Sequence, residues 1–227
     1  MAEKSMTAKS ATKAKASQKP EYVLHCFAQS GNAYKVALML QLCGAKWAPR
    51  FVDFFKGETR TPEYRAINVM GEVPVLEHKA KVLSQSGVIL NYLAEHLAQF
   101  GPGNDDERRE ILRWMLFDNH KLTANIATLR YLEQFMKTGQ TPVTDFLRGR
   151  MKAALGVLNA HLATRSFTVG ERPTIADFSM CGYLFWNDEF GVDWADYPHV
   201  GSWLARIQRL PGWVHPYKLM PGHPLPG

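Results

Sequence analysis

At 227 residues with 46% hydrophobic content, the chain is long enough to bury a core in one large or two small domains. No apolar run approaches the roughly 18 residues of a membrane span, no apolar signal segment opens the N-terminus, and Cys26, Cys43 and Cys181 have neither disulfide nor metal-ligand spacing; a soluble, cytoplasmic chain with free thiols, no metal and no membrane contact is expected. The formal charge of +6 is concentrated in residues 1–20, where Lys4, Lys9, Lys13, Lys15 and Lys19 against Glu3 give +4, and the remaining +2 leaves the rest nearly balanced and argues against a nucleic-acid partner.

Residues 1–20 are dominated by Ala, Lys, Ser and Thr and carry no aromatic side chain, so burial cannot offset their ordering entropy and a disordered basic tail is predicted. After Pro20 the elements alternate. Residues 22–27 read as a strand, 33–43 as a buried helix through Val36, Leu38, Met39, Leu40 and Leu42, and 47–55 as a second strand. A helical turn at 62–67, a strand pair at 73–76 and 81–83, and a helix from Ser86 to about Gln99 follow. Strand, helix, strand implies a right-handed parallel unit, and the short closing pair must be antiparallel, which is the thioredoxin arrangement over residues 21–100.

Gly101, Pro102 and Gly103 mark a linker at 101–104. Residues 105–210 show no strand pattern and read as an all-helical domain, with long helices at about 105–137 and 142–163. A third helix opens at Pro173, where Thr174 and Asp177 have the spacing of a capping box and are assigned a structural role. Residues 211–227, with Pro216, Pro221, Pro224 and Pro226, look too irregular for a helix and could fold back over a site. The predicted class is α/β, a thioredoxin-like domain followed by a helical bundle.

The stretch Met70-Gly71-Glu72-Val73-Pro74-Val75-Leu76 carries the first functional signal. Proline removes a ladder donor, and a cis Val73-Pro74 bond would turn the backbone of Val73 outward, free to pair with an extended ligand. Within ten residues Gln85-Ser86-Gly87 opens a helix whose free N–H groups and dipole suit a carboxylate. Taken separately, each is also an ordinary turn or cap. Together they describe a small-peptide site.

This order of domains, with Gly71-Glu72-Val73-Pro74, Gln85-Ser86-Gly87 and the Thr174 to Asp177 box, resembles the cytosolic glutathione transferases over about residues 21–210. The resemblance implies that glutathione is the co-substrate, that Val73 with Pro74 pairs with its cysteinyl backbone, and that Gln85 and Ser86 hold its γ-glutamyl end. Many members have an acidic residue where Gln85 stands, so an amide carbonyl replaces the ion pair here. Lys56, Arg60 and Arg65 are the candidate cations for the glycine carboxylate. A homodimer is implied as well.

Between the first strand and first helix lies Gln29-Ser30-Gly31-Asn32-Ala33-Tyr34-Lys35-Val36, which has no cysteine and so excludes a protein-borne dithiol cycle. Ser30 stands where serine-type members place their sulfur donor, and the loop is similar to the Thr-Pro-Asn-Gly loop of nu-class members, which act on glutathione disulfides; Ser30 and Asn32 are thereby the catalytic candidates. A free thiol with a pKa near 8.5 is mostly protonated at neutral pH, and lowering that value by two units takes about 2.7 kcal/mol. One charge-assisted hydrogen bond plus a helix N-terminus supplies that order of stabilisation.

Cys26, inside the first strand, reads as core, as do Tyr22 and Tyr34. The second substrate is expected to be a partly apolar electrophile or a disulfide, in a pocket formed by Trp114, Phe117 and Lys121, which share one helical face. The alternatives to a transferase are a glutathione-disulfide reductase and a non-catalytic interaction module of the same fold.

Overall fold

A computed structural model describes residues 19–225, so nearly all of the tail predicted to be disordered lies outside the described residues. The sheet contains β1 (Tyr22–Cys26), β2 (Trp47–Phe51), β3 (Val75–His78) and β4 (Lys81–Ser84), in the order β2-β1-β3-β4. β1 and β2 run parallel from Tyr22↔Trp47 to Cys26↔Phe51, while β1–β3 and β3–β4 are antiparallel, as a thioredoxin-like sheet requires. β2 stops four residues before the predicted end because β1 ends at Cys26 and offers no further partner. β3 begins at Val75, after the proline that has no N–H to give the ladder.

Helix α1 (Gly31–Leu42) is buried on nearly every side, which is why its sequence is an almost unbroken apolar run. It packs on α3 (Ser86–Leu97) and on α7 (Ile175–Cys181) of the helical domain, and one continuous core joins Leu24, Val36, Leu76 and Ile89 to Phe178 and Trp203. On the other face of the sheet α2 (Pro62–Ile67) closes a smaller cluster of Val52, Tyr64 and Val75.

The helix predicted over 105–137 is not regular. It is α4 (Asp105–Phe117), a wide π turn at Asp118–Thr123, α5 (Ala124–Arg130) and a second π turn at Tyr131–Phe135. Each wide turn inserts a residue into the helical repeat and re-aims the side chains beyond it. α6 (Pro142–Leu162) follows, and beyond α7 the chain continues through α8 (Pro198–Gln208). At α7, Asp177 accepts hydrogen bonds from the N–H groups of Thr168 and Thr174 and from the Trp203 indole, so the capping box is also a buried polar hub.

The terminal segment does contain a helix, α9 (Pro216–Leu219): Pro216 sits at its first position, where a missing N–H costs nothing. From there the chain returns across the β1–α1 loop. Pro221 accepts a hydrogen bond from the Ala28 N–H at 2.7 Å, and Gly222 accepts one from the Gln29 side chain at 2.8 Å. No helix among the described residues is long and apolar enough to cross a membrane.

Candidate active site

The β1–α1 loop turns sharply, with the Ser30 N–H donating to Phe27 O, and delivers Ser30 as the N-cap of α1. Its backbone is extended, and its hydroxyl oxygen accepts the Ala33 N–H at 3.1 Å. As an acceptor the hydroxyl keeps its own proton free to donate. Ser30 lines a groove of about 430 Å³ together with Asn32, the backbone segment Gly71 to Val73, and Arg130, Tyr131 and Tyr183 from the helical domain. Asn32 Oδ1 is buried there without a hydrogen-bond partner, an unmet acceptor that a ligand donor would satisfy.

Opposite Ser30, the Val73-Pro74 peptide is cis and Val73 precedes the first ladder pair, His25↔Val75, so its backbone is not committed to the sheet. Ser86 is the first residue of α3, buried, and no side chain among the described residues caps that helix, leaving its first N–H groups open. Gln85 is in the left-handed region and its amide donates to the Glu72 carboxylate at 2.9 Å, which ties the start of α3 to the Gly71 to Val73 segment and leaves the amide oxygen as an acceptor.

Other predicted residues sit elsewhere. Lys56 is exposed, pairs with Asp53 at 3.3 Å and lines a neighbouring cavity walled by Phe51, Phe54 and Phe55. Arg60 is exposed; Arg65 stands beside Gly71 and donates to the Val69 carbonyl. Trp114, Phe117 and Lys121 do not form the groove wall. Trp114 is buried against His161 and Phe117, at 4.2 and 5.4 Å between ring centroids, and Phe117 and Lys121 border a separate hollow with Arg150 and Val157. The wall instead comes from α5 and the second wide turn: Ala127, Thr128, Arg130, Tyr131 and Phe135. At about 1.5 Å per residue these lie roughly 20 to 30 Å beyond Trp114 along the rod.

Two wall residues had no sequence signal. Arg130 is buried, donates to the Gln29 carbonyl at 2.6 Å, to the Tyr217 hydroxyl at 2.9 Å and to Glu189 at 2.7 Å, and lies 4.1 Å over the Trp186 ring. It thereby braces the Ser30 loop from below. Tyr183 packs so closely on Gly31 that a Cβ there would lie 2.3 Å from its ring. Cys26 is buried in the sheet, where burial pushes its thiol up to about 12, and it is no nucleophile. Tyr34 is buried too, its hydroxyl donating to the Val214 carbonyl at 2.9 Å. No group of three or more metal-binding side chains occurs among the described residues.

The chain matches the glutathione S-transferase N-terminal domain over residues 22–95 and the glutathione S-transferase C-terminal domain over residues 120–211. It is similar to the crystal structure of a possible glutathione S-transferase from Rhodopseudomonas palustris, at 36% identity and a TM-score of 0.81, covering 86% of this chain and 89% of that one. Among curated proteins it is 28% identical over 186 residues to glutathione S-transferase 1 of Dianthus caryophyllus, covering 79% of this chain and 83% of the relative. It is also 30% identical over 169 residues to elongation factor 1-gamma 3 of Oryza sativa subsp. japonica, of which it spans 40% while 73% of this chain is covered. The two domain matches, lying on the sheet domain and the helical domain in that order, make this chain a member of the glutathione S-transferase family.

Proposed function

We propose that this protein is a cytoplasmic, homodimeric glutathione transferase in which Ser30, with Asn32, activates the thiol of bound glutathione. The observation that carries this reading is the meeting, in one groove, of a serine hydroxyl with a free proton, an unmet Asn32 carbonyl and the uncommitted backbone of Val73. Backbone pairing at Val73 would orient the cysteinyl unit, and the open N–H groups at Ser86 would take the γ-glutamyl carboxylate. A hydrogen bond from Ser30 favours the thiolate, and the thiol proton leaves to water. Against Tyr131 and Phe135, the thiolate then attacks an electrophilic carbon and expels its leaving group with the bonding pair, or attacks a disulfide sulfur and releases the other sulfur as a thiolate. The exposed apolar residues Val88, Leu112 and Leu116 beside Gln85 support pairing of two copies.

The likeness to elongation factor 1-gamma 3 favours a second reading, a binding module without turnover. Titrating the protein with glutathione across pH while following thiolate absorbance separates the two. Saturable binding with a thiol pKa below about 8.5 supports the transferase, and absence of binding supports the module. Binding followed by turnover of a mixed disulfide but not of an aryl halide supports disulfide reduction.

A further inference from the structure

Tyr183 comes from the helical domain, outside the β1–α1 loop and the helix start that carry Ser30 and Asn32. Its ring lies flat against Gly31, and a Cβ at that position would come within 2.3 Å of Cδ2, so the glycine makes the room that the ring occupies. The residue is buried yet borders the groove beside Ser30 and Asn32. The N–H groups of Gly31 and Asn32, the first two of α1, have no partner inside the helix and oppose the rise that burial imposes on the phenol pKa. Among the described residues no acceptor takes the hydroxyl proton.

We propose that Tyr183 is a second catalytic residue, its hydroxyl donating to the sulfur of bound glutathione alongside Ser30. This inference rests on the glutathione-activating reading given above. A phenol set beside the N-terminal N–H groups of a helix is a stronger donor through its own proton, so Tyr183 carries the positive end of α1 to the sulfur. Burial raises the phenol above its ordinary 10.0, with the nearby N–H groups and Arg130 opposing, so the group stays protonated as the thiol ionises. The thiol proton goes to water; the phenol keeps its own.

The test follows the ultraviolet absorbance of the glutathione thiolate against pH in the wild type, Tyr183→Phe and Ser30→Ala, with affinity measured by calorimetry. Tyr183→Phe keeps the ring on Gly31 and is expected to leave affinity for the protonated thiol, measured below its bound pKa, within about twofold while raising that pKa by about one pH unit, a tenfold change in its ionisation constant. Site-specific replacement of Tyr183 by a fluorinated tyrosine, a more acidic donor, should move that pKa the opposite way. If both Tyr183 variants ionise bound glutathione as the wild type does while Ser30→Ala raises the bound thiol's pKa, the Tyr183 assignment is overturned and the Ser30 reading stands. A wild type that binds glutathione without lowering its thiol pKa overturns both. A change confined to melting temperature would mean that the hydroxyl caps α1 and does no more, which also overturns the assignment.

Discussion

Lys35 on α1 and Asp118 at the head of the first wide turn form an ion pair at 2.6 Å in which neither side chain reaches solvent. Asp118 also accepts hydrogen bonds from Thr123 and Ser179, each at 2.6 Å, and Lys35 donates to Thr123 at 3.0 Å. The pair therefore joins the two domains through a buried hydrogen-bonded cluster. Removing one partner strands a buried charge, so Lys35→Met is expected to destabilise the protein by about 3–5 kcal/mol. Lys35→Met combined with Asp118→Leu should recover part of that loss, since no charge is left unpaired. Denaturant unfolding of the two variants checks both expectations.

The chemistry of Ser30 and Ser86 separates by kinetics. Ser30→Ala is expected to lower kcat with glutathione by at least about tenfold, the effect of one hydrogen bond to a charged sulfur, and to change affinity little. Ser86→Ala should weaken glutathione binding first and leave the bound thiol's pKa in place. Steady-state kinetics with an aryl halide, read beside calorimetric affinities, distinguishes the two patterns. Equal activity in Ser30→Ala would remove that residue from the mechanism.

What the sequence made legible, and what it hid, divides by range. The succession of strands and helices and the buried α1 follow from patterns a few residues long, and the Val73-Pro74 bond, considered as cis from its place in the sequence, is cis. Arg130 was hidden because the groups that hold it, Gln29, Glu189 and Tyr217, are 101, 59 and 87 residues away, and nothing local marks an arginine for burial. The helical face of Trp114, Phe117 and Lys121 was a sound periodicity, but it named the wrong turn of the rod. Which turn meets the groove depends on how the domains dock, and the π turn at Asp118–Thr123 then breaks the repeat on which the face was drawn.

Acidification should weaken the fold. Burial pushes the His25 pKa below its ordinary 6.5, with Arg50 adding to that, although the Glu77 carboxylate at 2.5 Å pulls the other way. His161 and His215 are lowered as well, again chiefly by burial. Between the lowered folded value and 6.5 the unfolded chain holds a proton that the folded chain does not. Stability therefore rises with pH across that window and is lost as pH falls from about 6.5 downward. Scanning calorimetry should show a melting temperature nearly constant from about pH 8 to 7 and falling towards pH 5. His25→Asn should make the slope shallower.

Gly222 adopts a left-handed φ of 92°, and a Cβ there would lie 2.4 Å from the Phe51 ring. Gly222→Ala is expected to displace the terminal strap and cost about 1–2 kcal/mol, through strain and the loss of the Gln29 hydrogen bond. Because that bond holds the residue next to Ser30, turnover should fall by more than the stability change alone explains. Activity measured well below the melting temperature, with folding followed by circular dichroism, tests this.

The burial of Lys35 makes the sheet domain dependent on its neighbour in a way its own compact sheet does not suggest. Cut from the helical domain, it would carry an ammonium group amid an apolar helix, a bare Gly31 where the Tyr183 ring had lain, and a Ser30 loop without Arg130 beneath it. Such a half is no portable unit. Exchange of either domain with a relative's would succeed only where the donor brings its own counterpart to Asp118, which makes this one carboxylate a compatibility test for chimeras.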